Sequence, residues 1–345
     1  MRPFFSIHPR LETDSVAKFI SGDSEVQETR IDSLESAMRH FLDLIDWTKL
    51  EIAELLTSAR RMKADWGRGI RPLQLTGRLL GLVFEKPSLR TRVSFEAAMA
   101  HLGGQSIFLS ATDGPIGKRE SIPDFARTLS QFVDAVVLRV FSQKTVETFA
   151  EHATVPVING LSDTSHPCQA LGDILTLQEV FGDVTGRTLV FVGDGNNVSC
   201  SLALICAKVG MRFVLSSPKG YGFSPSFMNL LAIAEPMHQT FEIEDACEAV
   251  RHADAIYSDV WTSMGQESES QKRLLDFGKH QVNESLMALA PPHARFLHCL
   301  PAHRGEEVAA SVIDGPRSVA FPQAGNRMHA QKAVLVKLLA DQVAG

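Results

Sequence analysis

Residues 87–92 read PSLRTR, and these residue types in this order can hold an anion. Pro87 stops an apolar run, Ser88 is suited to cap a helix, and the first turn of that helix carries outward-pointing N–H groups, a dipole and the guanidinium of Arg90. Arg90 and Arg92, two apart on a helix, face different ways, so Arg90 is assigned to the anion and Arg92 to a supporting ion pair. Taken alone, the hexapeptide is equally compatible with a solvated basic helix start. Further along, Asp259 and Cys299 each stand just past an apolar run. Asp259 is an acceptor-only carboxylate able to hold an ammonium group. Cys299, alone, reads as a buried small hydrophobe, and His166 in SHPCQ as a turn residue. Asn196 and Asn197 offer side-chain amides after Gly193-Asp194-Gly195.

Short apolar runs alternating with helical patterns must position these groups. The first series has strands over 79–85, 105–110, 134–140 and 155–160, with helices over 90–102, 121–132 and 143–152. A second follows residue 186, with strands over 187–194, 211–218, 240–245, 254–260 and 294–301 and helices over 198–209, 224–234 and 245–252. This alternation predicts an α/β chain with two doubly wound parallel-sheet domains. An inter-domain helix over 166–182 joins them, and a C-terminal helix covers 326–342. Helical periodicity also begins at Met38. The expected partition is an N-terminal extension over 1–37, mobile and polar, a first domain over 38–182 and a second over 183–325, with the terminal helix packing back on the first. Ligands of such sheets collect beyond the carboxyl ends of the strands. Nearly every unusual polar residue in the chain stands at one of those ends.

Composition narrows the classes. The 345 residues carry a net charge of −6, which argues against general nucleic-acid binding and makes any basic site a local one. The five cysteines, scattered without metal-ligand spacing, suit free thiols in a reducing, cytoplasmic compartment. No apolar run approaches membrane-spanning length, and the acidic residues after position 10 do not fit a transit peptide. Gly193-x-Gly195-x-x-Val198 follows a strand as a dinucleotide loop would. The third glycine is replaced by Val198, however, and the next strand ends in LSSP with no ribose carboxylate, so an oxidoreductase is disfavoured.

From about Met38 onward the chain resembles the aspartate/ornithine carbamoyltransferase family, and its ornithine branch in particular. The resemblance rests on PSLRTR (87–92), HPCQALGD (166–173), GDGNNV (193–198), DVWTSMGQE (259–267), HCLPAHRGEEV (298–308) and GNRMHAQKA (325–333). It implies transfer of the carbamoyl group of carbamoyl phosphate to the δ-amine of L-ornithine, giving L-citrulline and phosphate in arginine metabolism, without cofactor or metal. Ser88, Leu89, Arg90 and Thr91 would hold the phosphate. Arg139, His166, Pro167, Cys168, Gln169, Cys299, Leu300 and Arg327 would complete the carbamoyl-phosphate site. Asn197, Asp259, Ser263 and Met264 would hold ornithine.

Arg139, His166, Asp259 and Cys299 are the catalytic candidates under the same resemblance. Arg139 and His166 would polarise the carbonyl oxygen. Asp259 and Cys299 would orient the δ-amine and help remove its proton, a thiol of ordinary pKa lying close enough to neutrality for a small shift to matter. The family further implies a homotrimer or a multiple of trimers, and a loop over 263–275 that swings over the site. One departure concerns the loop SATDGPIGKRE, where some relatives lend a glutamine to the neighbouring subunit and this chain has Pro115. Two rivals remain. A carbamoyltransferase acting on putrescine or a modified ornithine would differ in the second-domain residues, and a non-catalytic phosphate-sensing paralogue should have lost one of Arg90, His166, Asp259, Cys299 or Arg327.

Overall fold

Nine strands form two sheets, all of whose pairs are parallel, in a computed structural model that describes residues 38–113, 116–263, 265 and 267–340. The first sheet has the order β2-β1-β3-β4, from strands Leu79–Phe84, Gln105–Ser110, Ala135–Arg139 and Val157–Leu161 (β1 to β4 in chain order). The second has the order β7-β6-β5-β8-β9, from Thr188–Val192, Arg212–Ser216, Gln239–Glu242, Ala255–Ser258 and Arg295–His298 (β5 to β9). Register is continuous in the central pairs, Leu80 opposite Ala135 in one sheet and Leu189 opposite Ala255 in the other. The central strands are buried on both faces, which explains why they read as unbroken apolar runs and not as alternating ones. The expected two-sheet α/β architecture is the one observed.

Helix boundaries follow capping chemistry. Helix α1 spans Lys49–Gly67 and starts at a capping box, in which Thr48 Oγ1 accepts from the Glu51 amide and the Glu51 carboxylate accepts from the Thr48 amide. The helical periodicity expected from Met38 therefore takes effect eleven residues later. Phe41 instead forms a parallel bridge to Ile158 beside β4, and its ring meets Trp47 edge-on at 5.2 Å, so the apolar residues before Thr48 are spent on the sheet margin. Helices α2 (Leu89–His101), α3 (Ile122–Leu129) and α4 (Gln143–His152) cover the first sheet, and each has a serine N-cap. Helix α5 (Pro167–Phe181) crosses to the second sheet, which is covered by α6 (Asn197–Val209), α7 (Pro225–Ala234) and shorter helices. The stretch expected as an irregular loop over 263–275 contains a 3-10 turn (Glu267–Glu269) and a helix (Ser270–Asp276).

The last described helix, Ala320–Leu339, begins six residues before the expected start and packs on α1, α2 and α5. It is called α12, in order after the second-sheet helices. One apolar cluster runs from Leu82 of β1 through Leu171 and Ile174 of α5 and Val334 of α12 to Phe191 and Tyr257 of the second sheet. Separate clusters fill the outer face of each sheet. Burial on this scale favours the fold by roughly 25 cal/mol per Å² of apolar surface. It also fixes the two rows of strand ends against one another, because α5 and α12 belong to the shared core. The expected extension over 1–37, Pro115 and Met264 lie outside the described residues.

Candidate active site

Ser88 ends the β1–α2 turn as the N-cap of α2, its hydroxyl accepting from the Thr91 amide at 3.2 Å and donating to Thr91 Oγ1 at 3.1 Å. The expected cap is thus in place. Arg92 turns away as expected, pairing with Glu96 one turn on at 2.9 Å and stacking over Phe108 at 3.8 Å. Thr91 Oγ1 also accepts from Arg139 Nη1 at 3.4 Å, at the end of β3, and from Arg327 Nη2 at 2.8 Å, on α12. Residues 236 positions apart in the chain therefore meet at one hydroxyl.

A cleft of about 660 Å³ opens above these groups, between the carboxyl ends of the two sheets. Ser88, Leu89, Arg90, Arg139, His166 and Arg327 line one side, and Asn197, Asp259, Ser263, Cys299 and Leu300 the other. Of the remaining sequence candidates, Pro167, Cys168 and Gln169 are buried and do not line the cleft, and Thr91 lies behind its wall. The Cys168 thiol points to the Asn159 carbonyl oxygen at 3.6 Å, and the Gln169 amide donates to Asp173 at 2.8 Å.

Charge is segregated across the cleft. Arg90, Arg139 and Arg327 share one side. Burial lowers the pKa of each, and repulsion from the neighbouring guanidiniums adds to it at Arg327 and at Arg139, which falls to about 9. The Nε of each of the three arginines is buried without a hydrogen-bond partner among the described residues. Like charges packed this closely, with donors unused, gain only when an anion joins them. His166 caps no amide with its ring, and burial plus the three guanidiniums push its pKa well below the ordinary imidazole value, leaving a neutral ring. Its backbone N–H is anchored by Ser201 Oγ at 2.8 Å.

Across the cleft, Asp259 Oδ1 accepts from the Cys299 thiol at 2.9 Å and from the Val260 amide at 2.8 Å, while Oδ2 accepts from Asn196 at 3.2 Å. Burial and the neighbouring carboxylate raise the Cys299 pKa well above the ordinary thiol value. The expectation of a thiol with its pKa close to neutrality is corrected, because burial and the carboxylate both move it away. Leu300 follows at φ 59°, an unusual conformation for a residue with a side chain, and its amide donates to His298 Nδ1 at 2.9 Å. His298 is fixed in turn by the buried Glu307 at 3.1 Å. His298 and Glu307 thus shape the 299–300 turn from behind.

Sequence reasoning passed over Lys86, Thr262, His303 and Glu306, which also line the cleft. Lys86 is a buried cation seated over the Phe141 ring at 4.4 Å, and its place between a strand end and Pro87 was the available signal. The glycine loop after β5 packs its backbone against the 221–222 segment. The Gly195 amide donates to the Tyr221 carbonyl oxygen at 2.7 Å, a Cβ on Gly195 would stand 2.5 Å from the Gly222 oxygen, and Asn196 caps the first amides of α6. Asn197 reaches the Ser162 carbonyl oxygen at 2.6 Å, tying this loop to the first sheet.

Comparison with known proteins agrees with this geometry. Residues 39–179 match the family model "Aspartate/ornithine carbamoyltransferase, carbamoyl-P binding domain", and residues 185–338 match "Aspartate/ornithine carbamoyltransferase, Asp/Orn binding domain". The chain is 50% identical over 303 residues to an ornithine carbamoyltransferase of Anoxybacillus flavithermus, covering 87% of this chain and 96% of that one. It is 48% identical over 321 residues to one from Oceanobacillus iheyensis, covering 92% and 99%. Its fold is similar to the solved ornithine carbamoyltransferase from Pyrococcus furiosus, with a TM-score of 0.85 at 47% identity over 88% of this chain and 97% of that one. With both of its halves matched, the chain belongs to the aspartate/ornithine carbamoyltransferase family.

Proposed function

We propose that the chain is an ornithine carbamoyltransferase, moving the carbamoyl group of carbamoyl phosphate to the δ-amine of L-ornithine with release of L-citrulline and phosphate. The supporting observation is the charge pattern of one cleft, three arginines and a helix N-terminus facing a buried carboxylate. That pattern suits a dianionic acyl phosphate beside a cationic amino acid.

In this proposal Ser88, Leu89, Arg90 and Thr91 hold the phosphate, with Arg327 completing its shell. Arg139 and neutral His166 surround the carbonyl oxygen and stabilise the oxyanion that forms as nitrogen attacks. The C–N bond forms, the C–O bond to phosphate breaks, and the phosphate leaves into the arginine cluster. Asp259 holds the δ-ammonium and receives its proton, and Cys299 acts as a neutral donor that fixes the carboxylate's orientation. Asn197, Ser263 and Met264 would bind the amino-acid end. Residues 38–182 would serve carbamoyl phosphate and 183–325 ornithine. The family pattern also supports a homotrimer acting in the cytoplasm in arginine biosynthesis. Leu89, Val93 and Ile107 are exposed on the first unit, and β2 is an edge strand, so apolar surface is available to a second copy.

Incubation of the purified chain with carbamoyl phosphate and L-ornithine tests this reading. Citrulline and phosphate should appear in equal amounts, and phosphate release without citrulline would contradict it. Light scattering should give three chains per particle or a multiple of three.

A further inference from the structure

A second group of basic side chains lies on the other side of α12, gathered around the ring of Trp66 on α1. His101, at the end of α2, stacks on that ring at 3.9 Å, and Arg71 Cζ lies 3.4 Å from its centroid. Lys332 Nζ lies 5.0 Å from the same centroid. His329 and Lys332 follow Arg327 by two and five positions, about 200° and 140° around the helix at 3.6 residues per turn, so they face away from the cleft.

These groups have no counter-charge among the described residues. Lys332 is only 4% exposed and has no carboxylate partner among the described residues, a rare condition for a buried lysine. Among the described residues, Arg71 Nη1 donates only to the carbonyl oxygens of Trp66 and Ile70. The Nδ1 atoms of His101 and His329 are buried without partners among the described residues. Nearby Lys63 is already satisfied by Glu179 and Asn326. Cation–π attraction to one indole is worth about 0.5–2 kcal/mol and does not neutralise an ammonium and a guanidinium together. The strain is visible in their proton affinities: burial and neighbouring positive charges hold Lys332 at about 8 and both His101 and His329 at about 4, with no carboxylate acting in the other direction.

We infer that Arg71, His101, His329 and Lys332 form a second anion site, distinct from the carbamoyl-phosphate cleft, for a compact oxyanion of the phosphate class. Such an anion would accept from the ammonium and the unused ring nitrogens and relieve the mutual repulsion that the cluster bears alone.

Equilibrium dialysis of inorganic phosphate against the full chain at low ionic strength tests the site. In the Arg90→Ala background, which weakens the main cleft, phosphate should still bind. Adding Lys332→Met should weaken the remaining binding at least tenfold. If Arg90 is no phosphate ligand, the total bound differs but the Lys332-dependent part remains, so the two assignments fail separately. Thermal unfolding supplies the control for folding. Without phosphate the Lys332→Met chain should melt no lower than its parent, and added phosphate should raise the parent's melting temperature more than the variant's. If Lys332→Met does not fold, the half-buried Arg71→Gln takes its place with the same expectation. Phosphate binding unaltered by these substitutions, absence of binding in the Arg90→Ala chain, or an adventitious ion only, bound equally by parent and variant, would overturn the inference.

Discussion

The Cys299 thiol donates to Asp259 across the ends of two adjacent strands, Sγ to Oδ1 at 2.9 Å. Cys299 belongs to the turn after β9 and Asp259 to the turn after β8, so parallel pairing of Ser258 with His298 sets the distance. Burial and the carboxylate keep the sulfur protonated through neutral pH. Cys299→Ser keeps a donor of similar size and should mainly raise the KM for ornithine while leaving the shape of the pH–rate profile near neutrality unchanged. Steady-state kinetics from pH 6 to 9 check both. A lost or shifted limb in the serine variant would show that the thiol itself titrates in the reaction.

Arg90 shares its side of the cleft with Arg139 and Arg327, and its charge adds to the burial that lowers the pKa of both. Arg90→Ala removes one charge of that cluster, so the ligand-free chain should melt no lower than the parent. The KM for carbamoyl phosphate should rise about 10- to 100-fold, the effect of losing a hydrogen bond to a charged group worth about 1.5–3 kcal/mol. Kinetics with differential scanning calorimetry separate the two effects.

Asp173 is fully buried on α5, accepting from Gln169 and Gln323 at Oδ1 and from Tyr257 at Oδ2. Burial dominates these bonds and raises its pKa to about 7. A carboxyl whose folded pKa exceeds its unfolded value near 3.8 holds its proton more tightly when folded. It favours the fold at low pH, and that contribution is lost as pH rises between about 4 and 7. Asp173→Asn preserves the acceptor at Oδ1 and cannot titrate. The difference in urea midpoint, variant minus parent, should grow more positive between pH 5 and 8. A constant difference would place the charge of Asp173 outside this linkage.

Gly195 touches the backbone of Gly222, so Gly195→Ala must push the 218–222 loop away. Overpacking of this kind costs about 1–3 kcal/mol. The variant should lose that much in urea unfolding, and neither it nor the parent should bind NAD in a fluorescence titration.

Much of the fold is legible in the sequence because local signals carry it. Apolar runs bounded by Ser88, Ser121, Ser142, Asn196 and Ser224 coincide with strands and helix caps, and i,i+4 spacing pairs Arg92 with Glu96. What was not legible is long-range. The bond from Arg327 to Thr91 and the bond from Gln323 to Asp173 leave no local periodicity, and the resemblance to a family was needed to single out Arg327. Met38 to Trp47 looked helical because Phe41, Leu44 and Trp47 are three apart, yet all three are buried without a helix. The thiol at Cys299 was misjudged because an ordinary thiol pKa ignores burial, and burial belongs to the fold.

The central claim is that this cleft joins carbamoyl phosphate to ornithine. Initial rates with carbamoyl phosphate and, side by side, L-ornithine, putrescine and N-acetylornithine test it most directly. The account predicts rapid formation of citrulline from ornithine and at least hundredfold lower kcat/KM with the other two amines. Equal or faster turnover of putrescine or N-acetylornithine, or no transfer to any amine, would contradict it.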